Sequence, residues 1–184
     1  MSSIKKLLLS LVSTIGHPPS APDEKSYGIP TVKFDPARVT SEVKRHIRKN
    51  LEQIEEVPSK CFDRIYDAAI LSVTKGRNLD VLSNALLVNI DGMTKGRAAQ
   101  IALSLNNKAS AIITREGQKS LGITEATWIL TNAGMRIPRP SHIAADGKRY
   151  KVAEGMYLDG KWTWPGYEDD CLCFSRPIIP GLNN

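Results

Sequence analysis

The apolar pattern of this 184-residue chain changes period once, at residue 123, and that break constrains the fold more than any other feature. Upstream, apolar residues recur every three or four positions, the spacing of one helix face. Downstream they alternate in short runs separated by Gly, Pro and Asp, the pattern of strands and turns. Helices grouped ahead of strands, rather than interleaved with them, indicate an α+β chain. The expected architecture is a helical N-terminal layer with a long central helix, followed by a small antiparallel β-rich C-terminal unit.

Val39, Val43, Ile47, Leu51 and Ile54 form the first apolar stripe. At about 100° per residue, Arg38, Lys44, Arg45, Arg48 and Lys49 fall together on the opposite side. That basic face has two readings: a solvated surface with local pairs such as Arg48 and Glu52, or a contact surface for nucleic acid or phosphate. Pro58-Ser59 opens the next helix, with Ser59 as its N-cap, Phe62, Ile65, Tyr66, Ala69 and Val73 on its inner face, and Gly76 at its end. Asn78 caps a short helix bearing Val81, Leu82, Ala85 and Leu86. Thr94 starts the longest element, lined by Ala98, Ile101, Ala102, Leu105, Ala109, Ile112 and Ile113 and stopped by Gly122. A helix of about 27 residues spans roughly 40 Å, enough to organise the whole layer.

Beyond residue 123, Thr127-Trp128-Ile129-Leu130 reads as a strand and Asn132-Ala133-Gly134 as a turn into Met135-Arg136-Ile137. Asp146-Gly147 and Asp159-Gly160 are hairpin signals, with Tyr150/Val152 and Trp162/Trp164 alternating nearby. A single sheet of three to five short strands is expected. The organisation is therefore 1–36, an N-terminal segment; 37–122, a helical region; and 123–184, a small β-rich unit.

Five of the eleven prolines fall within residues 17–36, which marks an extended arm. Ahead of it, Lys5-Lys6 and the run Leu7-Leu8-Leu9-Ser10-Leu11-Val12 imitate a secretory signal. Leu7, Leu8, Leu11 and Ile15 share one helical face, however, so a short amphipathic docking helix is the expectation. No apolar run approaches the roughly 20 residues of a membrane-spanning helix. Three cysteines are too few, and odd in number, for a disulfide framework. The net charge is +6, and residues 1–50 alone hold nine Lys/Arg against four Asp/Glu. An excess so placed favours an acidic partner: DNA, RNA or an acidic protein surface.

The chemistry-bearing side chains gather near the C-terminus. His142 sits in the loop Arg139-Pro140-Ser141-His142, and Cys171-Leu172-Cys173 follows the acidic step Glu168-Asp169-Asp170. One structural zinc ion held by His142, Cys171 and Cys173 would brace a sheet too small to have much core of its own. Asp146, Asp170 and Cys61 are the candidates for a fourth ligand. The alternative is metal-free packing, with the cysteines as small hydrophobes and His142 bonded within its own loop. A nuclease site would use His142 as general base, Arg136 or Arg139 as a phosphate clamp and Asp146 to orient the imidazole. No nucleophile motif, phosphate loop or paired-carboxylate spacing accompanies it, so a non-enzymatic role is expected.

Read together, Arg97-Ala98-Ala99-Gln100-Ile101-Ala102, Asn106-Asn107, Leu121-Gly122-Ile123, Trp128, Arg139-Pro140-Ser141-His142 with Asp146-Gly147, and Cys171-Leu172-Cys173 followed by Pro177 form an ordered set. In order and spacing this set resembles the minor head (head-morphogenesis) proteins of Mu-like tailed bacteriophages, over about the last 90 residues. Many relatives continue the first motif with Arg-Thr-Glu where this chain has Leu103-Ser104-Leu105. Some carry Cys-Pro-x-Cys in place of Arg139-Pro140-Ser141-His142, which implies that His142 stands where a cysteine ligand stood. The resemblance implies a multi-copy structural protein of the virion head, docked on the portal or major capsid protein and contacting packaged double-stranded DNA without sequence preference. The competing expectations are a phage-delivered nuclease or toxin-like effector using His142, and a stand-alone non-specific DNA-binding protein.

Overall fold

The structure is a computed structural model that describes residues 34–131, 138–179 and 181. The N-terminal amphipathic helix, nearly all of the Pro-rich arm, and the turn expected at Asn132-Ala133-Gly134 with Met135-Arg136-Ile137 lie outside the described residues. What is described is α+β.

Helix α1 (Ser41–Glu52) is capped by Thr40, whose Oγ1 accepts from the Val43 N–H, and it buries Val43, Ile47 and Leu51. Helix α2 (Phe62–Thr74) follows a 3₁₀ turn over Ser59–Cys61. Ser59 is thus the first residue of that turn rather than a helix N-cap, because Pro58 holds the preceding backbone extended. Gly76 and Arg77 both take positive φ to reverse the chain. Ser72 brackets the reversal by donating from Oγ to the Asn78 carbonyl and accepting the Asn78 N–H at its own carbonyl. Asn78 occupies the cap position of helix α3 (Leu79–Asn89), yet its side chain makes no capping bond.

Helix α4 (Lys95–Ser120) starts at Thr94, whose Oγ1 accepts from the Arg97 N–H. It closes in a Schellman turn: Gly122 N–H donates to Lys119 O, and Ile123 N–H to Gln118 O. Gly122 supplies the positive φ that this turn requires. Helices α1, α2 and α3 all pack on α4, and the first apolar core, from Val39 to Ile113, lies between them.

After Gly122 the chain builds strands β1 (Glu125–Ile129), β2 (Arg149–Lys151), β3 (Met156–Leu158), β4 (Lys161–Thr163) and β5 (Phe174–Pro177), with the short helix α5 (Pro140–Ala145) between β1 and β2. They form two antiparallel sheets rather than one: β2-β1-β5 and the β3–β4 hairpin. Asp159 and Gly160, both at positive φ, make the expected hairpin turn. Asp146-Gly147 does not. It is a type II turn that leads α5 into β2, with Lys148 N–H donating to Ala145 O. Trp162, expected to alternate with a core face, is 56% exposed and meets Tyr157 edge-on.

Register sorts the three-stranded sheet into two faces. Ala126, Trp128, Tyr150, Ser175 and Pro177 point inward, where Ala126, Trp128, Tyr150 and Val152 join Ala145 and two cysteines in a second core. This inner face rests on the end of α4, where Ser175 Oγ accepts from both Gln118 Nε2 (2.9 Å) and Tyr150 OH (2.6 Å). Further ties to the helices run from Lys108 and Ser104 to Asp169, and from the Arg115 guanidinium to the Trp164 ring.

Burial raises the Tyr150 pKa to about 12, partly opposed by its hydrogen bond to Ser175. A phenol whose folded pKa exceeds its unfolded value near 10 contributes stability that is complete below pH 10 and is lost as the pH rises toward 12. The expected loss is about 2 kcal/mol at pH 12. Denaturant titrations at pH 9 and pH 12 should show it in the native chain, with a much smaller pH dependence in Tyr150→Phe.

Candidate metal centre

Pro140 at the first helical position starts α5, because its fixed φ suits a helix and its missing N–H costs nothing there. His142 therefore sits on a short helix, not in a loop, and its ring turns inward. Asp146 anchors the far end of α5 by accepting the Leu130 N–H through Oδ1 at 2.8 Å. On the opposite side, Cys171 and Cys173 lie two residues apart in the chain that leads into β5, and both sulfurs face His142.

The three side chains meet. His142 Nδ1 lies 3.5 Å from Cys171 Sγ and 3.7 Å from Cys173 Sγ, and all three candidate ligand atoms fall within 4.8 Å of one another. They are only 3%, 4% and 6% exposed, so the group is closed to bulk solvent. Trp128 forms one wall, its ring 5.2 Å from His142 at 70°. Gly166 forms another, donating its N–H to Cys171 Sγ at 3.4 Å. It has φ +80°, and a Cβ there would come within 3.1 Å of the Cys173 carbonyl, so the backbone approaches this closely only as glycine.

The two thiols differ electrostatically. A hydrogen bond from Cys173 lowers the Cys171 pKa, outweighing burial, with help from the backbone N–H groups of Cys173 and Gly166 and from His142. The same shared hydrogen bond, followed by burial, raises that of Cys173. One sulfur is thus prepared as a thiolate. The buried Trp128 indole N–H finds no hydrogen-bond acceptor at normal distance and acts on the Cys173 sulfur at longer range.

Such a group can hold a metal ion. Two thiolates and an imidazole are a soft donor set, and ordinary tetrahedral zinc bond lengths place nitrogen and sulfur about 3.5 Å apart, close to the spacing found here. None of the residues considered for a fourth position joins the three. Cys61 lies in the helical core with its thiol donating to Pro58 O, Asp146 is bound to Leu130, and Asp170 is outside the cluster. Sequence reasoning missed Trp128 and Gly166 as walls. Only the Pro165-Gly166 pair hinted at a close backbone approach.

The nuclease constellation does not assemble among the described residues. His142 faces the thiols, Asp146 serves the backbone, and Arg139 donates to the Asp169 carbonyl; Arg136 lies outside the described residues. A polar cleft of about 450 Å³ lies elsewhere, between the end of α1, the middle of α4 and Asp169–Asp170, and His142 is not on its wall.

The basic face on α1 is partly neutralised. Arg45 bonds Glu42 at 2.6 Å, and Arg48 turns away from Glu52 toward Asp63 at 3.8 Å, lying over the Tyr66 and Phe62 rings. Arg38 is not on the helix but half-buried at the end of the 3₁₀ turn before it, where burial lowers its pKa. Lys44 and Lys49 are exposed without a side-chain partner among the described residues. Comparisons of the chain with protein-family models, with curated proteins and with solved structures found no match.

Proposed function

We propose that this chain is a structural minor head protein of a tailed phage, and that His142, Cys171 and Cys173 hold one zinc ion that braces its C-terminal unit. One observation carries the reading. The separate pieces of the ordered motif set, Trp128, His142 and Cys171-x-Cys173, are up to 45 residues apart in sequence yet converge on one closed core. Pieces that meet in space and enclose their own donors act as a brace. In this role zinc would supply folding free energy, and α5 would be pinned to the chain entering β5. The portal or major capsid protein and packaged double-stranded DNA are the partners this reading requires.

Metal content of the purified chain, measured with and without a chelator, tests the brace. About one zinc per chain is expected, lost in Cys171→Ser/Cys173→Ser together with a large drop in melting temperature. Full stability after complete metal removal would overturn the zinc assignment. Locating the chain in purified heads tests the role. Its recovery in intact particles is expected, whereas His142-dependent DNA cleavage by the isolated chain would favour the effector reading.

A further inference from the structure

We infer that the outer face of the β2-β1-β5 sheet is a contact surface for the backbone of double-stranded DNA, with Arg149 and Arg176 as its two principal phosphate contacts. The inference rests on the proposal above that this protein meets packaged DNA, and it moves the main contact from α1 to the sheet. Thr127 pairs with Arg149 on one side and with Arg176 on the other, so the three residues form one row across all three strands. Residues paired in this way point to the same face, and two strand spacings put the two arginine Cα atoms about 10 Å apart.

Both arginines are exposed, and neither has a carboxylate within ion-pair distance among the described residues. Arg45 and Arg48 each lie within 4 Å of a carboxylate, so the two arginines of α1 are already answered within the fold and its remaining basic groups are the lysines Lys44 and Lys49. Exposed Lys148 adjoins the same face in sequence. The acids in reach sit in the next row: Glu125 lies opposite Lys151, and Lys151 bonds Glu154 at 3.1 Å. Lys148, Arg149, Lys151 and Arg176 against Glu125 and Glu154 leave a net charge of two, and neither acid stands in the arginine row.

Two like charges on one face with no acid between them bring folding nothing. A polyanion supplies the missing counter-charge, and DNA does so with one phosphate per about 1.7 Å of helix axis. Thr127, in the middle of the row, is buried while both arginines are exposed, so the row offers two separated guanidinium groups, which suits an extended backbone better than a small anion. Guanidinium groups match phosphate oxygens bidentately. The face reads no bases, so the contact is indifferent to sequence.

The test is fluorescence anisotropy of labelled random-sequence duplex DNA with the full chain over a salt series. Arg149→Ala/Arg176→Ala should reduce the slope of log K against log salt by about 2, and Lys44→Ala/Lys49→Ala by clearly less. Arg149→Lys/Arg176→Lys should keep most of the slope, which separates charge from fold, and melting curves should show all three variants folded. An unchanged slope in the double alanine variant overturns the inference, whatever particle recovery shows. So does loss of the variant from heads with DNA binding intact, because the face would then dock an acidic protein. If the slope falls as expected but the native chain is absent from heads, the head-protein proposal fails and the DNA surface stands.

Discussion

Trp128→Ala is expected to destabilise the C-terminal unit by about 3–5 kcal/mol, the range for removing a fully buried large aromatic. Trp128 is completely enclosed on the central strand β1 and touches both His142 and Tyr150 edge-on, at 5.2 and 6.3 Å between ring centres. Among the buried residues of the second core only Tyr150 is comparably large, so the half-buried Leu130, Met156 and Trp164 packed against that core would fill the void only in part. A loss of that size is comparable with the whole stability of a small domain. The expected urea profile keeps the helical signal of α1–α4 while the fluorescence of Trp162 and Trp164 reports earlier unfolding of the C-terminal unit. A cost below about 1.5 kcal/mol, within the range of a tolerated core swap, would show that Trp128 does not support this core.

Much of the helical layer was legible because its signals are local. The stripe from Val39 to Ile54 and the run from Ala98 to Ile113 repeat at helical spacing, and both became buried faces. Thr94 and Gly122 bound α4 because capping is decided within a few residues. Where a signal had two local meanings, the reading failed. Pro140 can interrupt a strand or begin a helix, and it begins α5. Asp-Gly serves a hairpin at 159–160 but a helix-to-strand turn at 146–147, and only the pairing partner distinguishes them.

Long-range pairing was the part that could not be read. Arg48 was assigned to Glu52 by spacing, but Phe62 and Tyr66 come from the next helix and draw it away. The arginine row was invisible for the same reason: Arg149 and Arg176 become neighbours only because β1 pairs with both flanking strands. His142, Cys171 and Cys173 were found because each residue type announces its chemistry and the spacing of the two cysteines puts them on one side. Their missing fourth partner could not be found by the same route, since any Asp or Cys nearby in sequence qualifies until the fold places it.

Asn106→Asp is expected to cost about 3–5 kcal/mol at pH 7, because it places an unpaired carboxylate where an amide now donates. Asn106 is fully buried at the contact of α2 with α4. Its Nδ2 donates to Ala102 O at 2.8 Å and to Ser72 Oγ at 3.0 Å. Ser72 has a single hydroxyl hydrogen, and the shorter bond, 2.7 Å to Asn78 O, takes it. A carboxylate in this position would therefore face the Ala102 carbonyl, and the Ser72 hydroxyl, 3.3 Å from Oδ1, could donate to it only by giving up the Asn78 carbonyl. Asn106→Leu removes the same bonds without burying a charge, and it leaves the Ser72 bond to Asn78 intact. Its expected cost is about 1–2 kcal/mol, the value of lost hydrogen bonds alone. The two variants separate by pH as well. A buried acid has a folded pKa above its unfolded value, so the Asn106→Asp penalty is full above that folded pKa and shrinks as the pH falls toward 4. Urea titrations at pH 7 and pH 4.5 should show the gap between the variants closing at the lower pH. Equal costs for the two at pH 7 would mean that solvent reaches this contact and that the α2–α4 seam is looser than its burial indicates.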